Sequence, residues 1–438
     1  MTIEAITLLI FLCFSILLLT GLPLAWVMGA TSVIFALTLF SANVIVMMIL
    51  RIYQLMLDYS LVSVPLFILM GSILQKTEIV EEMFKAIYIW SGRLRGGLAI
   101  ATIIACVLMA AMVGVVGAEI VTMGLISLPM MLEKKYNYKI SLGSVTAGGG
   151  MATLIPPSVV FIIYGMLCGE SIGALYIAGI FPGLLLAALF IGYIIVSVWR
   201  NPEYAPAASE QEINMDLKDK ILLAKGLILP LILIVLVLGS IYQGIATPTE
   251  AASIGCFGAI FCGLAKNKLT LQKLNDSLFS TVSVTCMIVW LLFGSQTIIG
   301  IYTLAGGADF VKNSMLAAPF GKWGAIIIMQ MIWIILGCLI DWIGILMLTL
   351  PLFLPVLQAY EINLVWFGVI FCMNMHISYL SPPFAPSVFY LKGVVPDYIS
   401  VVDIYKANLP YLWLTFVALF LVILFPEISL WLPGHMAK

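Results

Sequence analysis

The stretch G-G-G-M-A-T-L-I-P-P-S-V-V-F-I-I-Y-G, residues 148–165, governs how this chain can fold. Most of it is apolar or small, as in a helix that crosses lipid, yet Pro156 and Pro157 stand together in its middle. A proline inside a helix removes one N–H donor and frees the carbonyl about four residues earlier. Hydrocarbon cannot satisfy such a carbonyl, so the step is tolerated at membrane depth only where it faces protein or a wet cavity. Gly149, Thr153 and Ser158 add bare backbone and hydroxyl oxygens beside it, a donor set suited to a hard monovalent cation.

A second stretch, S-P-P-F-A-P-S-V-F-Y-L-K-G at residues 381–393, repeats the arrangement with Ser381, Pro382 and Pro383, and Asn374, His376, Ser378 and Ser387 lie near it. Taken singly, each proline pair is equally a plain kink whose hydroxyls bond back to their own helix. Two related pairs point instead to discontinuous helices around a transport site. His376 alone is more ordinarily a hydrogen-bonded core residue than a ligand.

Working outward, the composition places these breaks in a membrane. Of 438 residues, 63% are hydrophobic and 9% charged, against about 25% charged in soluble domains. Apolar runs such as 6–19, 97–116, 221–238 and 409–425 recur, each near the roughly 20 residues a spanning helix needs. An all-α polytopic membrane protein with ten or more helical segments is expected, since the short alternating strands of a barrel are missing. The run 6–19 has neither a basic flank nor a cleavage site and reads as a retained helix. A net charge of −1 without a basic run makes nucleic acid an improbable partner. The eight cysteines form no C-x-x-C pair, and two histidines are too few for paired haem ligation. G-S-I-L-Q-K-T (71–77) lacks the second glycine of a phosphate loop, so ATP hydrolysis is not indicated.

The polar stretch 200–220 divides the chain into two parts, 1–199 and 221–438, that look like copies. Pro156 and Pro382 are 226 residues apart, Pro23 and Pro248 are 225, and Gly71-Ser72 and Gly294-Ser295 are 223. Glu119 precedes Pro129 by ten residues, as Asp341 precedes Pro351. Ordered landmarks at nearly constant offset predict an internal duplication, and transporter repeats of this kind place substrate and coupling ions where the halves meet.

Further candidates follow from the same logic. Residues 97–132 are too long for one crossing, so an interruption is expected near Gly114 and Gly117. Glu119 and Asp341, embedded in apolar sequence, are candidate cation ligands or proton carriers, or else acids at an interface or a helix cap. Ser60, Ser63 and Pro65 suggest a re-entrant hairpin, with a counterpart at Gly294, Ser295 and Thr297 ahead of Gly306-Gly307; surface loops are the alternative.

The motifs S-V-P-L-F-I-L-M-G (63–71), G-G-G-M-A-T-L-I-P-P-S-V-V-F-I-I-Y-G (148–165), L-G-C-L-I-D-W (336–342) and S-P-P-F-A-P-S-V-F (381–389) together resemble the DctM-type large membrane subunit of tripartite ATP-independent periplasmic (TRAP) transporters. The resemblance covers essentially the whole chain. It implies two inverted repeats with re-entrant hairpins and an elevator movement driven by sodium. The cargo would be a small carboxylate such as a 2-oxo acid, or equally the mannitol or chloroaromatic compounds for which one similar branch of the family is labelled, carried inward across the bacterial inner membrane. A small TRAP membrane subunit, a periplasmic substrate-binding protein and membrane lipid would be its partners, with no cofactor beyond the coupling ion. Substrate contacts would come from Ser63, Gly149, Thr153, Pro156, Pro157, Ser158, Ser295, Thr297, Asn374, His376, Ser381, Pro382 and Pro383. Sodium would be held among Ser63, Gly114, Gly117, Glu119, Gly294, Ser295, Asp341 and Ser378. Many members carry a serine-rich break where this chain reads V-G-V-V-G-A-E (113–119), so Glu119 would have to compensate there. A proton-coupled carrier or a passive channel is the alternative; an enzyme would need a nucleophile or metal cluster that the sequence lacks.

Overall fold

The computed structural model describes residues 1–41, 43–91, 94–114, 116–206, 220 and 223–436. Among them are twenty α-helices and no strand. In the first half these are α1 (Ile3–Leu19), α2 (Leu24–Leu39), α3 (Asn43–Met56), α4 (Ser63–Lys76), α5 (Ile79–Ser91), α6 (Gly97–Val113), α7 (Val116–Glu133), α8 (Tyr138–Gly150), α9 (Val159–Cys168) and α10 (Ile172–Arg200). In the second half they are α11 (Ile228–Tyr242), α12 (Pro248–Ala265), α13 (Leu271–Leu304), α14 (Gly307–Leu316), α15 (Gly321–Gly337), α16 (Trp342–Ala359), α17 (Leu364–Leu380), α18 (Pro386–Lys392), α19 (Val401–Leu424) and α20 (Glu427–Leu430). The greater part of the polar stretch 200–220 falls outside the described residues.

Eight helical segments are at least 18 residues long and apolar enough to cross a membrane. At 1.5 Å per residue, 18 residues cover about 27 Å, close to the hydrocarbon thickness. Large apolar side chains such as Phe257, Phe279 and Phe420 are exposed on these helices. In lipid that face carries no penalty, so packing between the helices has to come from small residues and shape.

Helix starts are set by local chemistry. Asn137 accepts from the Lys139 N–H at α8, Thr247 and Glu250 form a reciprocal capping box at α12, and Ser400 and Asp403 do the same at α19. Pro248 occupies the first turn of α12, where no donor is lost. The expected interruption is present: α6 stops at Val113, Gly114 adopts a left-handed φ of +64°, and α7 starts at Val116. Because α6 and α7 pack on one another, the pair is a helical hairpin with its tip at Gly114. Its counterpart is α15 and α16, joined by residues 338–341.

The structure therefore corrects the hairpin positions read from sequence. Pro65 lies in the first turn of α4, and α13 runs unbroken through Gly294, Ser295 and Thr297. A first-turn proline interrupts nothing. Gly294 is small for another reason: a Cβ there would sit 2.7 Å from the Ala25 carbonyl, so it lets α2 lie against α13.

Packing crosses between the halves in matched pairs. α2 lies on α13, and α12 on α4; α8 lies on α19, and α17 on α10; α7 lies on α18, and α16 on α9. At one edge, Lys266, Lys268 and Lys273 in and after the α12–α13 turn pair with Glu78 and Glu82 beside the α4–α5 turn. The Lys268 ammonium holds the Glu78 carboxyl below the usual carboxylate range.

The α8–α19 seam depends on Gly143, where an added Cβ would collide with the Tyr411 ring and lie 2.7 Å from the Ala407 carbonyl. Gly143→Ala should lower stability by about 1–3 kcal/mol, seen as a reduced melting temperature of the purified protein. Gly29→Ala on α2, with nothing within 4 Å of its Cβ, should leave that temperature unchanged.

Candidate functional site: two hairpin tips over two broken helices

Each proline pair ends a helix; Pro156 and Pro157 are buried, whereas Pro382 and Pro383 are exposed. After α8 a short turn, Met151–Thr153, leads through Pro156-Pro157 into α9; after α17 the chain passes Pro382-Pro383 into α18. Both Pro–Pro bonds are cis. Each hairpin tip covers one of these breaks. Gly114 lies so close to the Pro157 carbonyl that no Cβ would fit. At the other tip, the Cys338 thiol donates to the Pro382 carbonyl at 3.4 Å. Gly337 presses against Ser378 in the same way.

Between the tips and the breaks lies a cavity of about 640 Å³. Gly114 and Gly117 face it from the first tip, and Leu339, Ile340 and Asp341 from the second. Ala152, Val159 and Val160 border it beside the first break; Tyr379, Phe384, Pro386 and Tyr390 do so beside the second. Residues of α2 and α13, including the stacked pair Trp26 and Trp290 with ring centroids 5.5 Å apart, close the remaining side. Asp341 immediately precedes α16, where a carboxylate meets the positive end of the helix dipole. Its Oδ1 lies 3.5 Å from the Tyr379 hydroxyl.

Of the residues singled out from sequence, the structure thus brings Gly114, Gly117 and Asp341 to the cavity, with the Pro157 and Pro382 carbonyls at the tips. The hydroxyls are engaged elsewhere. Ser63 donates to the Ser60 carbonyl at 2.5 Å, Thr153 to Gly150 at 3.1 Å, Ser158 to Thr153 at 2.9 Å and Ser378 to Asn374 at 3.2 Å. Ser295 donates to Leu292 at 2.8 Å, and Thr297 to Gly294 at 2.7 Å. Buried hydroxyls remote from water take the nearest carbonyl, so here the kink reading describes their bonding. Gly149 serves packing, with Ile120 N 3.0 Å from where its Cβ would be. Asn374 donates to the Gln330 carbonyl and side chain at 3.1 and 2.8 Å, and the buried His376 ring lies against Phe190 at 5.9 Å. Ser381 is buried beside Pro382 and Pro383.

Glu119 differs from Asp341. It is fully buried one turn into α7, neither of its oxygens has a hydrogen-bond partner among the described residues, and it does not border the cavity. The shared ten-residue spacing misled because α16 carries two prolines: Pro129 is the fourteenth residue of α7, and the fourteenth of α16 is Pro355, not Pro351. The aromatic wall of Trp342, Tyr379, Phe384 and Tyr390 was missed, although Phe384 and Tyr390 stand within the second proline motif.

A family model described as "Tripartite ATP-independent periplasmic transporter, DctM component" matches residues 11–428. The chain belongs to the DctM family. The DctM-family chain is 26% identical to the C4-dicarboxylate TRAP transporter large permease DctM of Vibrio cholerae, over 95% of each chain. It is 30% identical to the sialic acid large permease SiaM of the same species over 86% of each, and 28% identical to the ectoine large permease TeaC of Halomonas elongata over 85% of this chain and 86% of that one. The solved structure of the Alcanivorax borkumensis YdaH transporter shares the fold, with a TM-score of 0.60 at 14% identity over 97% of this chain and 98% of that one. Neisseria gonorrhoeae MtrF does so with 0.57 at 10% identity over 89% and 83%. The permease is accordingly a multi-pass transport protein of the bacterial inner membrane.

Gly114→Ala should be damaging twice over, through its positive φ and through collision with Pro157. Gly169→Ala shares the first cost, with φ +68°, but has open space around its Cβ. Both should lose about 1 kcal/mol of stability from backbone strain. Gly114→Ala should lose more, and should alone cut uptake by the reconstituted transporter about tenfold.

Proposed function

We propose that this permease is a sodium-coupled importer of a small organic acid, delivered by a periplasmic binding protein and moved with the help of a small TRAP membrane subunit. The observation that carries the reading is the pairing of two hairpin tips with two Pro–Pro breaks around one cavity that holds a half-buried carboxylate. An anion about 6 Å from a charged Asp341 would be repelled by about 3 kcal/mol at an effective dielectric of 20. A cation bound at Asp341 removes that repulsion, so coupling follows from electrostatics. A backbone carbonyl near the first tip, that of Pro157, favours a metal ion, which takes several oxygen ligands, over a proton, which takes one.

The matched packing of α2 with α13 and α12 with α4, and the recurrence of hairpin followed by broken helix, support inverted repeats moving as an elevator. One sodium ion entering down 100 mV releases about 2.3 kcal/mol, and a tenfold gradient adds about 1.4 kcal/mol. Two ions would sustain steep accumulation without nucleotide. A proton-coupled mechanism is the second reading, and the unpartnered Glu119 carboxyl is what favours it.

The two separate in proteoliposomes containing all three components. Replacing sodium by choline at a fixed pH gradient should reduce initial uptake at least about tenfold; undiminished uptake would sink the sodium reading. Asp341→Asn should raise the sodium concentration for half-maximal uptake about tenfold, equivalent to 1.4 kcal/mol of lost cation binding.

A further inference from the structure

The cavity between the tips has a lining that does not suit a compact polyanion. Among its described lining residues none is Lys, Arg or His, and none is Ser, Thr, Asn or Gln. Asp341 is its only charged group. What it offers instead is aromatic area. Phe384 is 37% exposed, Tyr390 43%, Trp290 54% and Trp26 62%, and all four border the space. Trp342 and Tyr379 flank Asp341 on the same lining. Sites that bind small molecules combine an apolar lining with few polar groups that fix orientation; here the polar end lies at Asp341 and the second tip.

From this division we infer that the substrate is an amphipathic monocarboxylate with an aromatic or branched apolar body, and that C4-dicarboxylates are discriminated against. The inference rests on the reading that this cavity is the transport site. A single carboxylate meets the cation held at Asp341. The body then packs against Phe384 and Tyr390, which are otherwise exposed, and against the half-buried Trp342. A second carboxylate would enter this aromatic space without a partner, and an unpaired charge away from water is strongly unfavourable. The cavity volume of about 640 Å³ leaves room for a body much larger than a four-carbon acid.

The test uses the large and small membrane subunits purified together in nanodiscs, with tritiated 3-phenylpropionate as the probe and succinate as competitor. Saturable binding strengthened at least tenfold by sodium, with succinate competing at least tenfold more weakly, is the expected result. Tyr390→Ala should weaken 3-phenylpropionate severalfold. Leu339→Arg, which supplies the missing cation, should narrow or reverse the preference over succinate. Sodium-dependent binding in which succinate equals or exceeds 3-phenylpropionate overturns the assignment of substrate class and leaves the sodium-coupled carboxylate reading standing. Binding of either acid that is indifferent to sodium counts against that reading itself. No displaceable binding of either acid, with the cavity labelled by a photoactivatable acyl chain whether or not acid is present, overturns both, because the space is then a lipid groove.

Discussion

A carbonyl without a donor at membrane depth must be covered by something, and in this protein a helical hairpin supplies part of the cover. The carbonyls four residues before Pro157 and Pro383, those of Thr153 and Tyr379, accept from Ser158 and Ser387 of their own segments, while the Pro157 and Pro382 carbonyls meet another part of the chain. The tip of a helical hairpin is brought against each of them: Gly114 against Pro157, and Cys338 against Pro382. Backbone can approach backbone this closely only where side chains are missing. The left-handed glycine at the first tip meets that condition; at the second, Gly337 makes room for the Ser378 side chain and the Cys338 thiol supplies the donor. The helices that flank the tips and breaks are arranged so that the contact can occur twice.

That arrangement ties the halves together. Helices of residues 1–200 pack on one another, as α6 does on α7 and α8, and also on helices of residues 228–424, so the two halves share one interior. In hydrocarbon, close approach of small surfaces has to replace the hydrophobic effect. Gly143 against Tyr411 and Gly294 against Ala25 are such approaches.

Much of this was legible in the sequence, because proline and glycine act locally. The broken helices at Pro156 and Pro382 and the interruption at Gly114 follow from what those residues do to their own backbone. The errors share a cause. Glycine and serine at 294–297 look alike whether they turn a chain or admit a neighbouring helix, and only the neighbour, α2, distinguishes the cases. For the hydroxyls at 153, 158 and 378 the sequence gives the chemistry but not the carbonyl each one reaches, and a hydroxyl that donates keeps lone pairs with which to accept. The pairing of Glu119 with Asp341 failed because Pro351 and Pro355 compete for one alignment. The aromatic wall joins residues near 26, 290, 342 and 384, and no local pattern reports a meeting of four such distant segments.

The cavity has two unlike sides. Toward the tips and breaks it is bounded by elements joined through close backbone contact, which is directional and intolerant of sliding. Toward α2 and α13 it is bounded by Trp26, Trp290 and aliphatic side chains, whose contacts are dispersive and largely indifferent to lateral displacement. A seam of the second kind can slip while one of the first kind stays locked. The indole face is therefore the boundary along which the cavity can open while the contacts at the hairpin tips are kept.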